Sequence, residues 1–384
     1  MKSNHLISLF VLLLLILAYA CQPAAADVSA NALRKAYERP SAEWPAPTLD
    51  DGVEHRELGI LRKDQLVAGV SPLADSVNDP RALLDLGERL FFDPILSASN
   101  QVSCASCHDP DLAWGDGRQR SFGHDRTRGM RNAPTLLNAG HWTTLFWDGR
   151  SPSLEEQILG PLQDSTEMMQ DLTKLENELS SIPGYVKAFK KAYGVSTINP
   201  ARVAHAVAHF ERSLRSRTSR FDHFVNGRYE ALTDQEIRGL DLFRRKARCL
   251  NCHNGPLMSD QLFHNQGTHV FGRQSEDLGR YYITDDWADA GKFRTPTLRD
   301  IMFTGPYFHH GSVVELREVI QLYNAGMPQA IPRGVRESAE RLPVHDPLLQ
   351  PLGLTEGEID DLLAFMGAIS TRPRARRVPE RFSR

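Results

Sequence analysis

The sequence predicts a mainly α-helical protein made of two similar halves, with long loops and little β structure. Three observations predict it. Apolar residues recur at helical spacing from about residue 72 onward, strand-like alternation is scarce, and the order helix, Cys-x-x-Cys-His, long loop, helix occurs twice. At 384 residues the chain is long enough for two domains, each with its own core.

At the amino terminus, Lys2 precedes an apolar run from Leu6 to Ala18, too short to span a bilayer comfortably and suited to a signal-peptide core. Ala18-Tyr19-Ala20 places small residues at the two positions a signal peptidase reads, so residues 1–20 read as an export signal. Cys21 follows at once and fits a lipid-attachment site, although Tyr19 suits that motif poorly. A second small-residue site, Ala24-Ala25-Ala26, would discard Cys21. Residues 21–70, rich in Ala, Pro and charge without clear periodicity, read as a linker or N-terminal segment.

Beyond the linker the helical signals follow in order. Arg81 to Phe92 carries Leu83, Leu84, Leu86, Leu90, Phe91 and Phe92 on a broad apolar face; Ala201 to Leu214 repeats Val203, Val207, Phe210 and Leu214. Thr233 with Glu236, and Thr355 with Glu358, form capping-box patterns ahead of Ile237 to Phe243 and Ile359 to Ile369. Leu316 to Tyr323 reads as a short helix, and Tyr281-Tyr282-Ile283-Thr284 as the best short strand. Residues 108–145 and 254–311 are long Gly-, Pro- and Asn-containing stretches. Loops of that length argue against a compact domain unless each wraps a large prosthetic group that replaces protein core.

Composition excludes little. With 41% hydrophobic residues, 24% charged residues and a formal net charge of −3, nothing points to nucleic acid or an anionic membrane. The basic clusters Arg244-Arg245-Lys246 and Arg372 to Arg384 read as a solvated helix face and a frayed tail; a docking patch for an electron donor is the competing reading.

Of the five cysteines, four form the pairs Cys104/Cys107 and Cys249/Cys252. An exported protein could use such a set as disulfides, and four cysteines could also make a zinc site or redox dithiols. Neither explains why His follows both pairs at once. Cys104-Ala-Ser-Cys107-His108 and Cys249-Leu-Asn-Cys252-His253 fit the signature of covalent c-type haem attachment. Two thiols on one turn can add to both vinyl groups of one haem, and the adjacent His is placed to ligate iron.

The chain resembles the bacterial di-haem cytochrome c peroxidase and MauG family from about residue 72 to 370. The resemblance rests on Leu86-Gly-Glu-Arg-Leu-Phe-Phe-Asp-Pro94, the first haem motif, Arg131-Asn-Ala-Pro-Thr135, Phe146-Trp-Asp-Gly-Arg150 and Gly160-Pro-Leu-Gln163 with Glu167. It continues through the second haem motif, Phe293-Arg-Thr-Pro-Thr-Leu-Arg299 and Thr304-Gly-Pro-Tyr-Phe-His309. It implies two cytochrome-c-like haem domains, a peroxidatic one at 71–225 and an electron-transfer one at 226–384. The export signal places the mature protein in the periplasm, with lipid anchoring through Cys21 left open, and a homodimer is left open as well.

The resemblance makes His108 the iron ligand of the peroxidatic haem. His124, sixteen residues on, falls at the interval where the family's peroxidases place a displaceable sixth ligand. Glu167 matches the catalytic carboxylate and Gln157 a neighbouring pocket residue. Taken alone, Glu167 reads as a helix-face carboxylate near Met168-Met169, and His124 as a surface-loop histidine. Trp147 matches the aromatic residue between the haems, while Asn132, Thr304 and Pro306 match positions that bind calcium. His253 would ligate the electron-transfer haem. There the chain departs from the peroxidases: an ungapped count reaches Tyr323, as in the MauG branch, where they place Met. Met327, one helical turn on, is the rival ligand. A Tyr ligand is harder and more anionic than a thioether and favours ferric iron.

Three functions follow. The first is reduction of hydrogen peroxide to water with electrons from a small periplasmic cytochrome or copper protein. The second keeps the peroxide chemistry but oxidises an aromatic residue of a partner protein, as MauG does. The third, a non-catalytic di-haem electron carrier, has no use for Glu167, Gln157 or pocket-forming loops.

Overall fold

The computed structural model describes residues 25–62, 73–329 and 331–383; the expected export signal and Cys21 lie outside them. Twelve α-helices and one two-stranded sheet make up the regular structure among these residues. The mainly α expectation holds, and no helix among the described residues is long and apolar enough to cross a membrane.

Helix α1 spans Ala25–Tyr37, α2 Pro80–Phe92, α3 Leu154–Gln163, α4 Leu172–Ser180, α5 Pro183–Tyr193 and α6 Pro200–Glu211. Helix α2 starts where Asp79 accepts the Arg81 and Ala82 amides at 3.0 Å, with Pro80 in the first turn, where a missing N–H costs nothing. Its buried Leu83, Leu86, Leu90 and Phe91 join a core with α6 and a ring cluster of Phe91, Phe92, Trp114 and Phe210.

The second half carries α7 (Arg220–Val225), α8 (Asp234–Arg244), α9 (Tyr281–Thr284), α10 (Leu316–Asn324), α11 (Arg333–Ser338) and α12 (Glu356–Ala368). Its core is built on α7, α8, α10 and α12, with α8 and α12 packed together, while α9 and α11 bury no residue. Both expected capping boxes are present, at Thr233/Glu236 and Thr355/Glu358. The two halves share a crossing device. A Cβ on Gly87 of α2 would sit 1.9 Å from the Ala206 carbonyl oxygen of α6, and one on Gly239 of α8 would sit 2.0 Å from that of Asp361 in α12. Only glycine allows each helix ahead of a Cys-x-x-Cys-His motif to approach its partner so closely.

Five expectations need correction. The segment 21–70 is not a linker where it is described. It forms α1 and then buries Tyr37 and Trp44 in the second core, because their rings offer apolar area that no periodicity advertises. The second core begins before residue 226, since Phe221 and Phe224 of α7 are buried in it. Arg244 is no solvated residue: it is fully buried, lies 5.2 Å from the Trp44 ring centre and donates to the Pro45 carbonyl at 3.0 Å. The C-terminal tail is not frayed, because Arg376 pairs with Glu88 at 2.6 Å and Phe382 packs edge-on against Tyr185 at 5.0 Å. Tyr281–Thr284 is a helical turn; the strands are β1 (Phe263–Asn265) and β2 (Lys292–Arg294), antiparallel with Phe263 opposite Arg294. The two long loops contain only β1, β2, α9 and single 3-10 turns, and they line one large cavity.

Candidate active site

Each Cys-x-x-Cys-His motif forms one turn in which the His amide donates to the carbonyl of the first Cys, at 3.0 Å for His108 and 2.8 Å for His253. The first turn is held by Ser103 and Ser106: the Ser106 hydroxyl accepts the Ser103 amide at 3.0 Å, and the Ser106 amide donates to the Ser103 carbonyl at 2.9 Å. The second follows α8 through Arg248, in the left-handed region at φ 54°. No disulfide closes either pair.

The two histidines are anchored alike. His108 Nδ1 lies 3.0 Å from the Trp114 carbonyl oxygen and His253 Nδ1 lies 3.1 Å from that of Met258. Both carbonyls belong to left-handed residues, Trp114 at φ 62° and Met258 at φ 55°. A ring whose Nδ1–H is given to a carbonyl keeps Nε2 unprotonated for a metal. Burial lowers both imidazoles' proton affinity, which keeps that nitrogen available.

A cavity of about 690 Å³ runs past both histidines, and its walls include Cys104, Cys107, Gln157, Glu167, Trp147 and Tyr323. Asn132, Thr304 and Pro306 line it as well. Most of the residues expected to act at the site therefore share one space. Burial raises the proton affinity of Glu167, and the nearby Asp164 carboxylate adds to this. Trp147 stands at the junction of the halves: its indole N–H donates to the Asn132 carbonyl at 3.0 Å, and its own carbonyl accepts the Arg294 amide at 2.8 Å.

Four expected residues lie off the cavity wall: Cys249 and Cys252 of the second motif, His124 and Met327. The His124 amide donates to the Glu167 carbonyl at 2.7 Å, but its ring points toward Asp125, with Nε2 at 3.4 Å and a buried, unpartnered Nδ1. Met327 is buried elsewhere, whereas the Tyr323 hydroxyl receives a 2.7 Å bond from Gln266 Nε2 inside the cavity. Burial raises the Tyr323 hydroxyl well above the ordinary phenol range.

Four features of the site were missed. Arg294 is buried with its guanidinium 3.5 Å from the Trp142 ring centre, and its Nη1 has no partner. Desolvation lowers it to about 9. Glu211 is buried in the cavity wall with an unpartnered Oε2, and desolvation pushes it up to about 8. Its signal was available: it sits four residues after Val207, on the face read as apolar. Gln266, and the ion pairs of Arg131 with Asp148 and Asp277 at 2.6 Å each, come from loops without periodicity. A nearby cluster of Cys252, Asp260 and His264 is tied instead to the loop 340–350, since His264 binds Asp260 at 2.9 Å and Asp346 at 2.6 Å.

Haem fits this frame. Each motif offers two unbridged thiols on one turn and a histidine anchored on its far nitrogen, and the orphaned Arg294 cation suits a haem carboxylate.

The relatives agree. A family model described as di-haem cytochrome c peroxidase matches residues 81–230. Cytochrome-c peroxidase IdrP1 of Denitromonas iodatirespirans is 37% identical over 314 residues, covering 74% of this chain and 80% of that protein. The methylamine utilization protein MauG of Methylophilus methylotrophus is 35% identical over 303 residues, covering 78% and 85%. The crystal structure of a MauG-like protein associated with microbial copper homeostasis superposes with a TM-score of 0.67 at 29% identity, covering 84% of this chain and 96% of its own. The twice-repeated haem motif, the shared cavity and these relatives together show that the chain belongs to the di-haem cytochrome c peroxidase and MauG family.

Proposed function

We propose that this protein reduces hydrogen peroxide at the His108 end of the cavity, drawing electrons through the His253 end from a small cytochrome or copper protein. The observation that carries the reading is Glu167, a buried carboxylate of raised proton affinity in the same cavity as His108. Bound haem c supplies iron that accepts peroxide and stores oxidising equivalents. Glu167 takes the proton from the near peroxide oxygen and returns it to the far one, so that water can leave as the O–O bond breaks. Gln157, on the same wall, orients the peroxide with its amide.

Trp147 offers the electron path between the halves. Tyr323, with His253, would hold the second haem, and His124, tethered by its amide to the Glu167 carbonyl, would be the displaceable ligand of the first. Asn132, Thr304 and Pro306 offer amide and carbonyl oxygens of the kind calcium takes. The apolar run Leu6 to Ala18 supports export to the periplasm.

A second reading, oxidation of an aromatic residue in a partner protein, is favoured by one observation: Tyr323, not Met327, faces the cavity, as the resemblance to the MauG branch implies. Under either reading, Glu167→Gln in haem-loaded protein lowers peroxide turnover by about 100-fold or more with the haem spectrum unchanged. Wild-type turnover in that variant rules the mechanism out.

A further inference from the structure

The cavity opens to solvent beside α9. Tyr282 lines the cavity and is also 56% exposed, so one ring faces both spaces. It does not stand alone. The Tyr281 ring lies 6.0 Å from that of Tyr282 and 5.3 Å from that of Trp287, which it meets edge-on. These are the three side chains of this region that lose an electron most readily, arranged in contact from the cavity mouth along the surface.

The chain is held there rather than left to wander. Arg280, just ahead of α9, donates to the Asp148 carbonyl at 3.1 Å, and its guanidinium covers the Phe263 ring at 3.9 Å. The Arg280 amide is bonded to the Lys292 carbonyl at 3.0 Å. Exposed Ile283 extends the apolar surface beside Tyr282, and the exposed carboxylates of Asp285 and Asp286 follow, without an ion pair among the described residues. That surface suits a neutral or cationic aromatic rather than an anionic one.

We propose that Tyr282, backed by Tyr281 and Trp287, is a surface oxidation site at which a phenol bound outside the cavity delivers electrons to peroxide. The proposal rests on the peroxide reading above and names where and from what class of reductant the electrons enter. Tyr282 loses one electron and one proton to the cavity. The substrate phenol then gives its O–H hydrogen to Tyr282, so the substrate bond breaks and that of Tyr282 re-forms. Two phenols supply two electrons and two protons, the O–O bond of one peroxide breaks, and two waters leave with two phenoxyl radicals as the other product. The phenol is either a free small molecule or a tyrosyl side chain; the chemistry is the same.

The test uses the full haem-loaded chain and three reductants with peroxide: a reduced small cytochrome c, guaiacol, and a tyrosyl peptide immobilised on beads. Tyr282→Phe and Tyr281→Phe/Tyr282→Phe keep the ring volumes, and haem content is measured alongside. The proposal expects cytochrome-driven turnover within about twofold of wild type and at least a roughly tenfold loss of oxidation of the bead-bound peptide. Loss with guaiacol as well assigns the site to phenols of either source; retention with guaiacol alone assigns it to tyrosyl side chains. Unchanged oxidation of both in the double variant overturns the proposal, as does a wild type that turns over cytochrome but neither phenol. A wild type that consumes no peroxide with any reductant overturns the peroxide reading instead.

Discussion

On the proposed mechanism Glu167 must be ionised to take the proton of peroxide, and burial raises its proton affinity. The acid limb of kcat/KM is therefore expected above the ordinary glutamate value of about 4.3, with activity falling as pH drops through it. That limb should vanish from the residual activity of Glu167→Gln in a pH–rate profile. Glu211 makes a different prediction, about stability. Its folded value of about 8 lies above an unfolded value of about 4.3, so its favourable contribution is complete below about pH 4 and is lost as pH rises toward 8. Glu211→Gln should match wild type in melting temperature near pH 4 and exceed it near pH 8; a constant difference would contradict the buried, protonated assignment. At the other end of the cavity, Tyr323→Phe should alter the absorption bands of one haem only, and an unchanged spectrum would remove Tyr323 as a ligand. Of these residues, Glu167, Gln157 and Tyr323 could be placed from ordered motifs. Arg294 lay inside a quoted block with nothing to announce that its charge would be buried and unpartnered.

Helices α2, α6, α8, α10 and α12 were legible because each has an apolar face, a cap or both, whereas α3 and α4, capped by Ser153 and Asp171, were not read as helices. Segments whose burial depends on a few aromatic residues were not. Tyr37 and Trp44 fix the N-terminal segment to the second core, and Phe382 fixes the C-terminal tail to the first, with Arg89 4.2 Å from its ring centre. Neither pattern has a period. Phe382→Ala should accordingly destabilise the protein by about 1–2 kcal/mol in chemical denaturation, as expected for a partly buried ring. No change would mean that the tail does not pack in solution. Tyr281–Thr284 shows the opposite failure, since a β-rich composition yielded to Arg280 and its contacts, which set a helical turn at the cavity mouth.

The whole molecule depends on how the halves meet. Arg131 in the first haem loop pairs with Asp148 and, across the junction, with Asp277 in the second, all largely buried. Asp277→Asn leaves a buried guanidinium half-compensated and should cost about 3 kcal/mol, read as a drop in denaturation midpoint with both haems retained. That two haem sites exist was legible from ten residues; that one cavity joins them was not, because the joining side chains sit in loops without periodicity. The central claim is a division of labour between the two ends of that cavity. Low-temperature EPR of the ferric haem-loaded protein, wild type beside Tyr323→Phe, tests it most directly. The account predicts two distinct ferric signals, only one of which shifts in Tyr323→Phe, while the other is the one changed by half-reduction and peroxide. A single signal, or two that shift together in the variant, would contradict it.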